Sequence, residues 1–416
     1  MFKAPRGTSD ILPQEKAYWK YIEEKAVYLC QLYGYQPLNT PVFEDYQLFA
    51  HIAPDGADII KEMYVFEDRS GQKLALAAEG TAPICRAYLE HGLFNLPQPV
   101  KLYYIIPAFR YERPQAGRYR QHHQLGCEAI GDADPVLDAE VIELMYRFLS
   151  SLGLSELFIE INSIGCRQCQ PGYVETLKKY YSTYRDRLCP DCKIRLARNP
   201  LRLLDCKEVS CQEIITGAPK IIDYLCSECQ THFQSVQKYL TELGISYQLN
   251  HKLVRGLDYY TRTVFEVKPE GKGVQIALGG GGRYDNLIEE LGGKPTPAVG
   301  FAAGIERIII VLKNQNVIVP TLPKPVAYVA CLGTQAKLEA TKLVSRLRHQ
   351  GIAAIQATGD KSLKSQLRQA NSLDVKYTVI IGEKEVANET AVLRDMSSGE
   401  QKTVPFNEIA SLLEKR

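Results

Sequence analysis

Residues 107–131 read PAFRYERPQAGRYRQHHQLGCEAIG, and the fold turns on this stretch. Arginines stand at 110, 113, 118 and 120, with Tyr111 and Tyr119 among them and His122 and His123 just after. The flanks, KLYYIIPAF before and QLGCEAIG after, are apolar and bounded by Pro and Gly. This pattern predicts two strands joined by a long basic loop. Guanidinium groups grip phosphate as a planar fork. A loop of this kind serves either as a solvated charged tip or as an anion site. Glu112, Gln124 and Glu128 interleave with the cations, and the apolar flanks anchor both ends, which favours the anion site.

Working outward, the chain has 416 residues, enough for two or three domains. Its 50 Lys+Arg against 48 Asp+Glu leave a net charge of +2, so anion binding must be local and no overall basic field exists. No apolar run is long enough to cross a membrane. The first residues, MFKAPRGTSDILP, contain no apolar export segment, so a cytoplasmic protein is expected.

Eight of the twelve cysteines fall between Cys166 and Cys229. Three C-x-x-C pairs are present: Cys166/Cys169, Cys189/Cys192 and Cys226/Cys229. Without an export signal, disulfides are the weaker use. The first two pairs are spaced as in a zinc ribbon, which predicts a structural zinc on Cys166, Cys169, Cys189 and Cys192. Cys206 and Cys211 would then join the third pair. The alternative is a set of reduced thiols.

Before the basic loop, residues 14–33 show helical periodicity closed by Gly34. Residues 64–76 alternate around Ser70-Gly71, as in a hairpin, and lead through AAEGTAP (77–83) into a helix from about residue 84. Thr81 is placed to cap that helix. Glu79 has no such local use, and a carboxylate there suits a cationic group such as an α-amine. After the loop, residues 134–151 form an amphipathic helix and LFIEINSIG a strand. Residues 167–250 change texture and look like a helical, Cys-rich insertion.

LVRGLDYYTRTVFEV (253–267) reads as a strand, so Tyr259 and Tyr260 should point to opposite faces, one packing and one lining a pocket. VQIALGGGGRYD (274–285) reads as a strand followed by four glycines that something approaches closely. It lacks the Lys-Ser/Thr of a phosphate-binding P-loop. GFAAGIERI (300–308) reads as a strand, a Gly-marked turn and a helix opened by Glu306 and Arg307, where amide groups favour anions. Pro-rich residues 314–325 read as a linker, and the remainder alternates strand and helix as a small α/β domain.

Taken together, FRYERPQAGRYRQHHQLGCE, LVRGLDYYT, GGGGRYD, GFAAGIERI and the N-terminal PRGTSDILP resemble the signatures of the histidyl-tRNA synthetases, a family of class II aminoacyl-tRNA synthetases. The resemblance runs from the N-terminus into the C-terminal domain. It implies an α+β fold, with an antiparallel sheet flanked by helices, a mainly helical insertion and a C-terminal α/β anticodon-binding domain. The implied segments are a catalytic core at 1–166 and 251–313, the insertion at 167–250, the linker at 314–325 and the anticodon-binding domain at 326–416. It also implies a homodimer, ATP with Mg²⁺, L-histidine and tRNA-His.

Carried over by position, Arg110 and Arg307 would hold the α- and γ-phosphates of ATP, and Arg255 would reach the α-phosphate from the histidine side. Glu79, Thr81, Gln124 and Glu128, with Tyr259 and Tyr260, would form the histidine pocket. Glu112, Arg113 and Tyr119 would lie near adenine or the tRNA end, and Gln115, Arg118 and Arg120 would meet the tRNA acceptor. Ala77-Ala78 departs from the Arg-Pro usual in the family. Two other functions compete: a regulatory subunit of histidine biosynthesis sharing this fold, and an RNA-binding module. The complete LVRGLDYYT string and the domain beyond the linker oppose the first. The near-neutral charge and the amino-acid pocket residues oppose the second.

Overall fold

The computed structural model describes residues 2–52, 58–269 and 277–414. The chain divides into two compact units, 1–320 and 321–416.

In chain order, the first unit carries strands β1 (Gln36–Pro37), β2 (Phe43–Asp45), β3 (Val65–Glu67), β4 (Lys73–Leu76), β5 (Val100–Phe109) and β6 (Gln121–Ile130). These are followed by β7 (Leu157–Ser163), β8 (Gln248–Leu249), β9 (Thr261–Pro269), β10 (Gly279–Arg283) and β11 (Ala298–Gly304). The main sheet runs β1-β5-β6-β11-β10-β9-β7-β8, and β2-β4-β3 form a smaller sheet. The five central pairings, from β5·β6 to β7·β9, are antiparallel, and only the two-residue edge strands join in parallel.

The β5–β6 ladder follows from its side-chain period of two. Leu125, Cys127 and Ala129 face a core built with the Pro13–Leu32, Pro135–Ser151 and Ile305–Asn314 helices. Between them His122, Gln124, Gly126 and Glu128 project from the other face, which carries the second core and the open side of the sheet. That second core also receives Tyr173, Leu177, Tyr181, Leu203 and Ile214 of the insertion, so the insertion covers the same face.

Two readings of the sequence change here. The strand expected from residue 253 starts only at Thr261, and Tyr259 and Tyr260 lie in the preceding turns. Strand alternation therefore does not apply to them. The four glycines are themselves strand β10, wedged between β9 and β11. A Cβ on Gly281 would sit 1.9 Å from the Gly300 carbonyl oxygen, and one on Gly280 2.4 Å from that of Phe265. The close approach comes from neighbouring strands, and any side chain would push them apart. Part of the strand expected just before, at 274–276, lies outside the described residues.

The second unit has strands β12 (Ala327–Cys331), β13 (Ala354–Gln356), β14 (Tyr377–Ile381), β15 (Thr390–Asp395) and β16 (Gln401–Pro405), ordered β13-β12-β14-β15-β16. β12 is parallel to both neighbours, and the β14·β15 and β15·β16 pairs are antiparallel. Buried Gln366 is fully used: its amide donates to the carbonyls of Cys331 and Lys361 and accepts from the Cys331 amide.

Candidate active site

The open face of the main sheet carries a cleft of about 680 Å³. Arg110, Arg255 and Arg307 all line it, together with Glu79, Thr81, Gln124, Tyr259, Tyr260, Glu112, Arg118 and Tyr119. They arrive from the end of β5, the loop before β9 and the helix after β11, which explains how residues almost 200 positions apart meet.

Each arginine is aimed by a backbone carbonyl or a carboxylate. Arg110 Nε donates to Ala78 O at 2.9 Å. Arg307 donates from Nε to Gly117 O at 2.9 Å and from Nη1 to Ala277 O at 3.1 Å, so it also holds the tip of the basic loop. Arg255 pairs with Glu266. Gly280 clears its path, because a Cβ there would lie 2.9 Å from Arg255 Nη1. Burial lowers the Arg307 pKa, Glu112 opposes the fall, and the charges of Arg118, Arg110 and Arg255 deepen it. These cations repel one another, and a polyanion would relieve that repulsion. Burial and the charges of Arg110, Arg307 and His123 push His122 down to about 3, so it is neutral.

The polar end of the cleft is built differently from the sequence expectation. Glu79, not Thr81, caps the Thr81–Glu90 helix: its carboxylate accepts from the amides of Thr81 at 2.7 Å and Ala82 at 2.8 Å. Tyr259 also donates to Glu79 at 3.3 Å. Thr81 instead donates its hydroxyl to Glu128 at 2.8 Å. Glu128 is fully buried behind it and accepts also from Tyr104 at 3.1 Å and Tyr284 at 2.5 Å. Burial pushes its carboxyl up to about 8; the Tyr284 and Thr81 hydroxyls oppose the shift, and the Glu79 charge adds to it. Two glycines make this nest. A Cβ on Gly300 would fall 1.7 Å from Glu128 Oε2, and one on Gly126 2.1 Å from Tyr104 Cζ. Gln124 Oε1 is buried and accepts no hydrogen bond among the described residues, leaving an acceptor on a cleft-lining side chain.

Tyr259 and Tyr260 both line the cleft, with ring centroids 4.9 Å apart. Ala77 and Ala78 are both buried, and their carbonyls accept from Phe109 N and Arg110 Nε. In the basic loop, Gln115 and Arg118 pair their backbones as a tight hairpin around Gly117. Arg113, Gln115 and Arg120 are not among the cleft's lining residues. Arg120 lies 3.8 Å over the Tyr111 ring and packs on Gly7, where a Cβ would come within 2.7 Å of it. The N-terminal PRGTSD segment thus braces the loop.

The sequence reading missed several residues. Asp191, Arg195, Arg202, Asp205, Lys207 and Glu208 of the insertion line the cleft, although their spacing carried no such signal. Arg283 is buried against Asp138 at 2.7 Å, and His232 reaches the same carboxylate at 3.0 Å. Burial would raise Asp138, yet the Arg283 charge and the hydrogen bond from His232 hold it below its ordinary range.

The expected metal quartet is not assembled. Cys166 and Cys169 meet Cys226 and Cys229, while Cys189 and Cys192 meet Cys206 and Cys211. The Gln170–Ser182 helix carries the chain away from the first pair, so neighbours in sequence are not neighbours in space.

The family model described as Histidyl-tRNA synthetase matches residues 7–168 and 213–308, and that described as Anticodon binding domain matches 326–416. A histidine–tRNA ligase of Dehalococcoides mccartyi (strain 195) is 53% identical over all of both chains. One from Desulforamulus reducens is 47% identical over 99% of each. The crystal structure of apo S. aureus histidyl-tRNA synthetase superposes over all of both chains with a TM-score of 0.84 at 37% identity. A convergent arginine cleft on an antiparallel sheet, an anticodon-binding unit and these full-length likenesses agree: the chain belongs to the histidyl-tRNA synthetase family.

Proposed function

We infer that this cleft carries out both steps of histidine–tRNA ligation. The chain acts as an ATP-dependent histidine–tRNA ligase, and the reading as a regulatory subunit is not favoured. The observation that carries the assignment of steps to residues is the meeting of Arg110, Arg255 and Arg307 in one cleft with Gln124, whose Oε1 has no hydrogen-bond partner among the described residues.

In the first step the histidine carboxylate attacks the α-phosphorus of ATP and pyrophosphate leaves. Negative charge builds on the phosphoryl oxygens, and guanidinium groups already fixed in place stabilise it without reorganising. Arg110 and Arg255 act at the α-phosphate and Arg307 at the γ-phosphate. Gln124 accepts from the ammonium or imidazole, and Glu79 supplies countercharge beside it. Thr81, Tyr259 and Tyr260 wall the pocket, and Glu128, behind Thr81, holds Thr81, Tyr104 and Tyr284 in register. Glu112, Arg113 and Tyr119 lie toward the adenine and the tRNA end.

Mg²⁺ would enter with the triphosphate and neutralise part of its charge. The Glu112 carboxylate, 3.6 Å from Arg118, is a hard oxygen donor that fits it. In the second step the terminal ribose hydroxyl of tRNA-His attacks the adenylate carbonyl and AMP leaves. Gln115 and Arg118 at the hairpin tip meet the acceptor end, with Arg120 bracing them through Tyr111. Exposed Val42, Phe43, Val65 and Phe66 around the small sheet suit a homodimer contact. No helix of the described residues is long and apolar enough to cross a membrane, and we place the activity in the cytoplasm.

The test is histidine-dependent exchange of pyrophosphate into ATP, followed by charging of tRNA-His with labelled histidine. No exchange, together with binding to a phosphoribosyltransferase, would return the reading to the regulatory subunit.

A further inference from the structure

We propose that the insertion binds two Zn²⁺ ions, one held by Cys166, Cys169, Cys226 and Cys229 and the other by Cys189, Cys192, Cys206 and Cys211. The sulfurs of each set all lie within 4.8 Å of one another. A tetrahedral ion bonded to sulfur at about 2.3 Å sets its ligands about 3.8 Å apart. The Sγ atoms of Cys166 and Cys169, Cys166 and Cys226, Cys169 and Cys229, and Cys189 and Cys206 are each 3.8 Å apart. By contrast, Cys30 and Cys127 in the main core sit 3.6 Å apart as a pair, with no third or fourth ligand among the described residues.

A second observation concerns the backbone. The amide of Cys166 donates to Cys169 Sγ at 3.2 Å. Amides of Cys189, Cys192 and Glu208 donate to the sulfurs of Cys211, Cys189 and Cys206, each at 3.4 Å. Amides aimed at sulfur are the outer-shell donors that metal-bound thiolates use, so the backbone around both sets is arranged as it is around metal ligands. An all-sulfur tetrahedral set selects Zn²⁺ over harder ions, and the compact spacing leaves room for a single ion rather than an iron–sulfur cluster. Binding converts the thiols to thiolates and releases their protons to solvent.

The two sites are nested. The first joins the chain just after β7 to the start of the Ser227–Glu242 helix and closes the loop between them. The second lies inside that loop, at the head of the Pro190–Arg198 helix and beside the 3-10 turns of Pro200–Asp205. Its Cys189 and Cys206 line the catalytic cleft. From this segment Arg202 Nη1 donates to Arg255 O at 2.7 Å, and Asn199 donates to Asp258 at 2.5 Å. Arg202 and Asn199 are positioning residues: the inner ion fixes the segment that fixes Arg255. All four ligands of the inner site lie in 169–212, between the two stretches matched by the family model.

Metal analysis of the full chain purified without added metal tests the sites, and needs no assay of activity. Two zinc ions per chain are expected, with X-ray absorption showing four sulfurs at about 2.3 Å. Cys226→Ser and Cys206→Ser should each lower the count by one. Fewer than half an ion per chain with all cysteines titrating as free thiols, iron in place of zinc, or nitrogen and oxygen ligands would overturn the proposal. For the link to Arg255, stripping the metal with an organomercurial and a chelator should lower pyrophosphate exchange at least tenfold, and added Zn²⁺ should restore it. Unchanged exchange by a zinc-free chain would overturn that link while leaving the ligase reading standing.

Discussion

Replacing Arg255 by alanine separates catalysis from folding. The guanidinium pairs with Glu266, and its Cζ lies 5.9 Å from the Tyr260 ring centroid. Removing it does not strand Glu266, because Lys268 Nζ remains 3.1 Å from that carboxylate. The Arg255 carbonyl still accepts from Arg202, since it belongs to the backbone. The loss also relieves repulsion on Arg307. The stability cost is therefore about 1 kcal/mol, the scale of a partly exposed ion pair with a surviving partner. The cost to adenylation is larger. A fixed donor aimed at developing phosphoryl charge contributes about 2.7–4 kcal/mol, or about 10²–10³ in rate. Pyrophosphate exchange should fall by that factor, mainly in kcat, with Tm lowered by only a few degrees. Exchange within about threefold of the parent, in a protein with an unchanged melting profile, would refute the role given to Arg255.

Other perturbations reach the rest of the site. Gly300→Ala drives a methyl into Glu128 Oε2, so exchange should drop at least tenfold and urea unfolding should show a loss of about 1–3 kcal/mol. His122 is held neutral down to about 3, whereas in the unfolded chain it takes a proton near 6.5. The unfolded state thus binds more protons in that window. Its contribution to stability is complete above pH 6.5 and falls by up to about 1.4 kcal/mol per unit as pH drops toward 3. His122→Asn should flatten that part of a Tm-against-pH curve, and an unchanged slope would count against it. Phe43→Glu with Phe66→Glu replaces two exposed rings, 6.3 Å apart, by charges; the proposed homodimer through this face predicts a dimer for the parent and a monomer for the variant in sedimentation, and a parent that sediments as a monomer would refute it.

Much of this was legible in the primary structure, for reasons tied to particular residues. β5, β6 and the basic loop announce themselves through a period of two around a cluster of arginines, because each strand must hide one face. The helix over Pro13–Leu32 likewise carries its own periodicity. The expectation that Tyr259 and Tyr260 face opposite ways fails because the strand begins only at Thr261, and nothing in the local pattern marks where the preceding turn ends. β10 has no side chains to alternate, so its identity as a strand rests on the backbones that flank it. Glu79 caps the helix expected to be capped by Thr81, because capping depends on which oxygen reaches the amides, a matter of position and not of residue type.

The sequence by itself determined the family, three arginines that line the cleft and the clustering of eight cysteines between Cys166 and Cys229. These are properties of local pattern and of strings long enough to exclude chance. Only the tertiary structure decided which cysteines share a site, because the helices between the pairs choose their neighbours. It alone showed that Glu128 is a buried support, since its donors come from β5, from the segment after β10 and from the start of a separate helix. It alone brought the insertion to the cleft and Arg202 to Arg255. Contacts between distant segments depend on packing, and packing leaves no trace in the spacing of residues along one segment.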